Sequence, residues 1–213
     1  MARETSQTLD RGLRVLELLA ESPEGLTVTD IAGRLGVSRT VVYRLVVTLE
    51  QHGLLRRGSD GRARTGLAVL TLARHVQPLL RESAAPILRR LADSAGATVQ
   101  LIVAEGDDGL TMAVVEPTRA DVHVSTRVGQ RTPLDRTAAG RAILAVRLYR
   151  PLEHGWSFAT GEPEAGASSL AAPVVGVPGV EAAVTVVTVG DIDPALAGPG
   201  VVAAATELAR ALR

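Results

Sequence analysis

The sequence predicts an α+β chain in two parts: an N-terminal winged helix-turn-helix, then, beyond a linker helix, an antiparallel sheet with helices packed on it. Two observations carry this expectation. Residues 28–52 hold two helical segments separated by Gly36, with a short basic hairpin directly after them. From residue 97 onward, apolar strand-like runs interleave with helical ones. The 213 residues are 46% hydrophobic, enough to bury a core in one large domain or two small ones. The expected boundaries are 1–66 for the winged helix, 67–78 for the linker helix and 79–213 for the second domain.

In "LDRGLRVLELLA", residues 9–20, Leu9, Leu13, Leu16, Leu19 and Ala20 recur at helical spacing, and Ser22-Pro23 stops the helix. Thr27 and Asp30 have the spacing of a capping box, with Asp in place of the usual Glu. They open a second helix, residues 28–35, burying Ile31, Ala32 and Leu35. Gly36 takes the turn, and Val37 is its apolar residue. Ser38 then caps a third helix running to about His52, with Gly53 as its C-terminal cap. Small Ala32 permits a close helix crossing, while Val37, Val42 and Leu45 pin the second helix to the first. "LLRRGSDGRART" reads as strand, Asp60-Gly61 turn, strand.

With Val42, Leu45 and Leu49 facing inward, the third helix presents Ser38, Arg39, Thr40, Tyr43 and Arg44. By themselves these residues fit a solvated face, a partner interface or a helix pressed against DNA. Charge decides among them. Between residues 34 and 64, seven arginines (Arg34, Arg39, Arg44, Arg56, Arg57, Arg62 and Arg64) oppose two acids, Glu50 and Asp60. Seven minus two is +5, in a chain whose formal net charge is zero. One face should therefore meet a polyanion. Arg57, Arg62 and Arg64 flank the hairpin turn, where a wing reaches phosphates or a minor groove. Double-stranded DNA is the expected partner, with Arg39, Thr40, Tyr43 and Arg44 in the major groove. A palindromic operator with two half-sites requires two winged helices, hence at least a homodimer. The alternative is a protein-interaction module in which the winged helix serves association only.

"LAVLTLARHVQPLLRESAAPILRRLADSAG" is helical in pattern, with breaks expected at Pro78 and Pro86. "ATVQLIVAEGDDGLTMAVVEP" alternates as two strands, Val99, Leu101 and Val103 against Leu110, Met112 and Val114, about an Asp107-Asp108-Gly109 turn. A further strand is expected over 122–127. "RTAAGRAILAV" has helix character, with Gly140 admitting a close neighbour. "SSLAAPVVGVPGVEAAVTVVTVGD" gives two more apolar strands, and "GPGVVAAATELARALR" a closing helix.

Cysteine is absent, so disulfides, thiol catalysis and cysteine-based metal sites are excluded. The four histidines (His52, His75, His123 and His154) are scattered, and neither a metal nor a cofactor is expected. His123, Ser125 and Asp135 are near in sequence, but nothing marks an activated nucleophile, and no enzymatic activity is expected. No apolar run reaches the ~18 to 20 residues of a membrane span, and no apolar signal segment follows Arg3-Glu4, so a cytoplasmic protein is expected. Every basic side chain is arginine. Because this runs through the whole chain, codon bias is the simpler reading than a selected surface.

Residues 8–66, from "TLDRGLRVLELLAE" to "DGRARTG", resemble the N-terminal domain of IclR-type bacterial transcriptional regulators. "RVGQRTPLDRTAAGRAILA" and "GWSFATGEPEAGASSLAAPV" resemble the most recognisable segments of that family's C-terminal domain. The resemblance implies a GAF-like effector-binding and oligomerisation domain, a small and often acidic organic metabolite as effector, and dimers or dimers of dimers that repress or activate nearby operons; a repressor is expected here. Carried over residue by residue, it implies effector contacts from Ala139, Gly140, Ser169 and Thr185. The chain also departs from the family pattern. Only "VRLYRPLEHG" bridges the two segments, where relatives carry a longer connection with a helix beside the pocket. Ala159 stands where many relatives have a pocket-facing acid. Ser168-Ser169 replaces an Arg-Cys pair, and Thr185 and Val187 replace two serines. A more apolar ligand, a rearranged pocket and a domain that only oligomerises all fit these changes. Tyr149, Trp156 and Phe158 fall in or just beyond the bridge, where they either line the pocket or plug the volume left by the missing helix; the plug is expected.

Overall fold

The computed structural model describes residues 5–73, 78–118, 126–162 and 164–213. The chain divides into two compact units, Met1–Val76 and Gln77–Arg213.

The first unit runs α1 (Gln7–Ala20), α2 (Val28–Leu35), α3 (Arg39–Gln51), β1 (Leu55–Arg57), β2 (Ala63–Thr65) and α4 (Ala68–Ala73). Local chemistry sets the bounds of α2. The Thr27 hydroxyl accepts from the Asp30 N–H at 3.2 Å, and the Asp30 carboxylate accepts from the Thr27 N–H at 2.9 Å. The capping box is therefore complete with Asp in the acidic position. Gly36 ends the helix in the left-handed region at φ 65, where a side chain would strain the backbone. His52 is the C-cap of α3, and Gly53 follows it.

The core of this unit joins Val15, Leu19, Leu26, Ile31, Ala32, Val42, Leu45, Val46, Leu55 and Ala63. The expected apolar stripe of α1 is corrected. Gly12, Val15 and Leu19 face inward, while Leu9, Leu13 and Ala20 are exposed. Two apolar stripes run along this helix, and the one that packs on α3 is the one where Gly12 lets Leu45 lie alongside. Leu35, Val37 and Leu49 are half-buried at the core's edge. Strands β1 and β2 pair antiparallel with Arg56 opposite Arg64, and Leu26 bridges to Ala63 by two backbone hydrogen bonds of 3.0 and 2.7 Å. The hairpin is thus tied down on both sides.

The second unit runs α5 (Pro78–Ala95), β3 (Thr98–Glu105), β4 (Asp108–Val115), β5 (Arg131–Pro133), a 3-10 turn (Leu134–Arg136), α6 (Ala138–Arg147), β6 (Ser157–Thr160), β7 (Ala167–Val174), β8 (Ala182–Val189) and α7 (Pro194–Ala211). The strands form one antiparallel sheet in the order β5-β4-β3-β8-β7-β6. One face carries α5 and α7, packed through Leu88, Leu91, Val201 and Leu208 onto Val99, Leu101, Leu170, Val184 and Val186. The other carries α6, packed through Ala138, Ala142 and Ile143 onto Ile102, Ala171 and Ala183. Because both faces are covered, β3, β7 and β8 are buried at successive positions instead of alternating.

Several local expectations are corrected. Pro86 lies inside α5 and does not break it; the residue is exposed, so the backbone bond it forgoes is left to water while Ile87 and Leu88 stay buried. The β3–β4 turn is Gly106-Asp107, and Asp108 and Gly109 already belong to β4. A bulge where Leu101 pairs with Ala113 and Ile102 with Thr111 shifts the phase of β4. As a result Leu110 and Val114 fall on opposite faces. Of the strand expected over 122–127, residues 122–125 lie outside the described residues; Thr126 and Arg127 are not strand, and β5 begins at Arg131. The closing helix starts at Pro194, capped by the Asp193 carboxylate, and continues through exposed Pro199.

The three aromatics of the bridge do not share one role. Trp156 is half-buried against α7, where a Cβ on Gly198 would come within 2.7 Å of its indole, and it stacks on His154 at 5.1 Å. Tyr149 and Phe158 are exposed. Only Trp156 fills volume, and none of the three lines the cavity between the sheet and the first turn of α6.

Candidate functional site

The Ser38 hydroxyl accepts from the Val41 N–H at 3.4 Å and fixes the first turn of α3. Val42, Leu45 and Val46 occupy the core, so helical geometry turns Arg39, Thr40, Tyr43 and Arg44 outward. All four are exposed, Tyr43 at 53%. The guanidinium groups of Arg39 and Arg44 make no hydrogen bond or ion pair among the described residues.

The hairpin arginines are arranged differently. Arg57 donates through Nε and Nη2 to Glu50 Oε2, at 2.9 and 2.5 Å, and lies 6.0 Å from the centre of the Tyr43 ring. Arg62 Nη1 donates to the Gly25 carbonyl at 2.8 Å. Arg64 forms a two-pronged pair with Asp60, at 3.1 and 2.7 Å, and Asp60 Oδ1 also accepts from the Arg62 N–H at 3.0 Å. Hydrogen bonds from Arg57 hold the Glu50 carboxyl below its ordinary range, and those from Arg64 do the same, more strongly, for Asp60. A charge count therefore overstates what the hairpin offers. Arg57, Arg62 and Arg64 each already have an acceptor within the chain, whereas exposed Arg56 has none among the described residues. A guanidinium carries five N–H donors, so each paired arginine keeps some in reserve and is held in one place.

In the second unit a narrow cavity of about 40 Å³ lies between the sheet and the first turn of α6. Three of the four expected effector contacts, Ala139, Ser169 and Thr185, line it. Gly140 does not. A Cβ there would meet the Leu134 carbonyl at 2.0 Å, so Gly140 lets the 3-10 turn pass against α6 and shapes the cavity from behind. Its N–H donates to Thr137 Oγ1 at 3.0 Å, completing the cap of α6. Thr185 Oγ1 donates to the Leu170 carbonyl at 3.1 Å and is satisfied. Ser169 Oγ is buried at 4% exposure and has no partner, alone in this among buried side-chain polar atoms of the described residues. Further polar lining comes from Gln100, Thr111, Gln130 and Thr132, with the Gln100 amide donating to Thr126 Oγ1 at 2.9 Å. Sequence reasoning missed these. The available signal is Gln100 within the mostly apolar run of residues 99–104. No charged side chain is among the described lining residues.

Residues 8–59 match the family description "IclR helix-turn-helix domain", and residues 74–154 match "Bacterial transcriptional regulator IclR C-terminal". The chain belongs to the IclR family. Among curated relatives, the HTH-type transcriptional regulator BhcR of Paracoccus denitrificans is 35% identical over 156 residues, 69% of this chain and 52% of that protein. The transcriptional repressor IclR of Escherichia coli is 31% identical over 148 residues, 65% of this chain and 52% of its own. This IclR-family chain thus spans about half the length of the curated relatives it matches. An IclR homologue of Microbacterium hydrocarbonoxydans, solved in complex with 4-hydroxybenzoate, superposes with a TM-score of 0.83 at 26% identity, covering 97% of this chain and 99% of that one. An IclR regulator of Alicyclobacillus acidocaldarius superposes at 0.81 with 22% identity, covering 99% and 100%. The architecture is that of IclR structures, a helix-turn-helix unit followed by a GAF-like unit. Among the described residues, no helix is long and apolar enough to cross a membrane.

Proposed function

We propose that this IclR-family protein is a sequence-specific DNA-binding transcriptional repressor, acting as a homodimer or dimer of dimers on a palindromic operator. The observation that carries the reading is the outward face of α3, where Arg39 and Arg44 stand exposed and unpaired beside Thr40 and Tyr43. Such a face enters the major groove, and Arg44 can read a guanine through a two-pronged pair worth about 1–3 kcal/mol of discrimination. Ser38 holds the helix N-terminus, whose free N–H groups suit a phosphate. Arg56 and the spare donors of Arg57, Arg62 and Arg64 contact backbone or minor groove from fixed positions. The relatives named above are regulators, and none is named as an enzyme.

The second unit is the effector-binding and oligomerising part of this reading. A small metabolite binds at Ala139, Ser169 and Thr185, with the free hydroxyl of Ser169 as its hydrogen-bonding partner. The positive end of α6 at Ala138 and Ala139 suits a carboxylate or carbonyl oxygen. The narrowness of the cavity favours a second reading, in which this unit oligomerises without sensing anything.

Genomic fragments captured by the protein, retested by fluorescence anisotropy across a salt series, provide the test. Binding through several arginines weakens steeply and linearly in log salt. A flat salt response points to the protein-association module instead. A thermal-shift panel of small organic acids and neutral metabolites separates sensing from oligomerisation alone.

A further inference from the structure

Beyond the cavity at the start of α6, a larger groove lies at the other end of that helix. One compartment, about 460 Å³, is walled by Ala145, Val146, Leu152, Pro173 and Val175, with Tyr149 and Arg150 at its rim. A second, about 520 Å³, reaches Val202, Thr206, Arg210 and Arg213. The two adjoin across Gly155, Pro173 and Val175. Each has the size of a small-molecule site.

Charge gives the groove a direction. No acidic side chain is among the lining residues of either compartment. Elsewhere on this unit Arg90, Arg131, Arg141 and Arg147 are each paired with a glutamate. Arg150, Arg210 and Arg213 have no such partner among the described residues. Arg213 lies over Gly176, where a Cβ would sit 2.9 Å from its Nη2. The first compartment is therefore apolar with a single cation, and the second ends in two guanidinium groups.

Tyr149 adds an independent observation. Its φ is 52, and it is the one described residue other than glycine with positive φ. The Tyr149 N–H donates to the Val146 carbonyl at 3.1 Å and the Arg150 N–H to the Ala145 carbonyl at 2.7 Å. This is the Schellman closure of a helix C-terminus, and Tyr149 occupies the position where glycine is favoured. The residue is 94% exposed. The chain thus holds an aromatic side chain in a strained conformation without burying it, and such strain collects at functional sites. What the ring contributes lies outside the chain's own packing.

We propose that this groove is a second ligand site, for a carboxylic acid with an apolar body. The body lies against Val146, Leu152 and Val175 beneath the Tyr149 ring, and the carboxylate pairs with Arg210 and Arg213. The site shares no residue with the effector cavity, so the proposal stands apart from that reading. Helix α6 opens at one and closes at the other, and β7 runs from Ser169 in the first to Pro173 in the second.

Octanoate, octan-1-ol and octylamine, titrated into the full chain by calorimetry, test it. Octanoate should bind saturably, the alcohol about tenfold more weakly, and the amine not at all. The R210Q/R213Q double variant should lose the preference for the acid, and Val175→Asp should abolish binding. Tyr149→Gly should raise the melting temperature while weakening octanoate, a pair of opposite signs that a purely structural tyrosine does not give. Equal binding of acid and alcohol, or an unchanged affinity in R210Q/R213Q, overturns the proposal. So does loss of octanoate binding in Ser169→Val, which would place the acid in the other cavity. A change of mass in sedimentation caused by Val175→Asp, with octanoate binding retained, would assign the groove to a second copy of the chain.

Discussion

In the first unit Arg39, Thr40, Tyr43 and Arg44 lie on the outside of one short helix; in the second, Gln100, Thr111 and Ser169 turn inward, between a sheet and a helix. Arg39 and Arg44 are exposed in the folded chain and hold nothing in its core, so their chemistry is separate from folding. Ser169 is buried with its hydroxyl unmatched, so its chemistry is charged against the stability of the unit that holds it. Three hairpin arginines, Arg57, Arg62 and Arg64, fall between these cases, accessible to a partner but each already held by an acceptor. The difference teaches that the same count of polar side chains has different consequences according to what they face. An outward site can change with little effect on stability, whereas a change at an inward one moves stability up or down.

The strongest test of the inward site is Gly140→Ala. The added methyl meets the Leu134 carbonyl at 2.0 Å, a backbone atom that cannot rotate away. A loss on the order of 3 kcal/mol is expected, read as a lower melting temperature of the full chain. If the variant melts like the parent, the cavity wall is softer than the packing implies. Arg44→Ala tests the outward site: about 1–3 kcal/mol of discrimination is lost at one base position, with no change in melting temperature. A fall in thermal stability there would break the contrast between the units. Ser169→Ala sharpens the contrast from the other side. Removing a buried hydroxyl without a partner should stabilise the chain by about 1 kcal/mol in urea unfolding while weakening any effector response. A destabilised variant would mean that the hydroxyl already has a partner.

The smallest effect belongs to the hairpin. Hydrogen bonds from Arg57 and Arg64 lower the folded-state pKa of Glu50 and Asp60. Their contribution is therefore fully present above the ordinary carboxylate range, near pH 4, and is lost as pH falls through the lowered values. Carboxyl carbon shifts in an NMR titration should place both midpoints below that range, and Arg57→Ala should return Glu50 to it. Because the pairs are exposed, added salt should shrink the difference.

Much of the first unit is legible in the chain. The bounds of α2 at Val28 and Leu35 follow from Thr27, Asp30 and Gly36, all within a turn of the helix they limit. The outward set on α3 follows from the spacing of Val42 and Leu45. Less of the second unit can be read that way. Its strands are buried on both faces, so alternation does not announce which side a residue takes, and the bulge opposite Leu101 and Ile102 reverses the phase of Val114. The polar wall of Gln100 and Thr111 is assembled from different strands, and Gly140 is placed behind the cavity by a turn that only tertiary packing brings near.

The sequence by itself determined where the helix-turn-helix begins, turns and ends, because caps and turn glycines act on backbone groups within about four residues. Tertiary structure alone decided which stripe of α1 is buried, which arginines are free and where Ser169 points. Those outcomes depend on partners distant along the chain: Arg62 is held by the carbonyl of Gly25, 37 residues away. Local sequence cannot record such a partner, since the hydrogen bond exists only once the hairpin has docked.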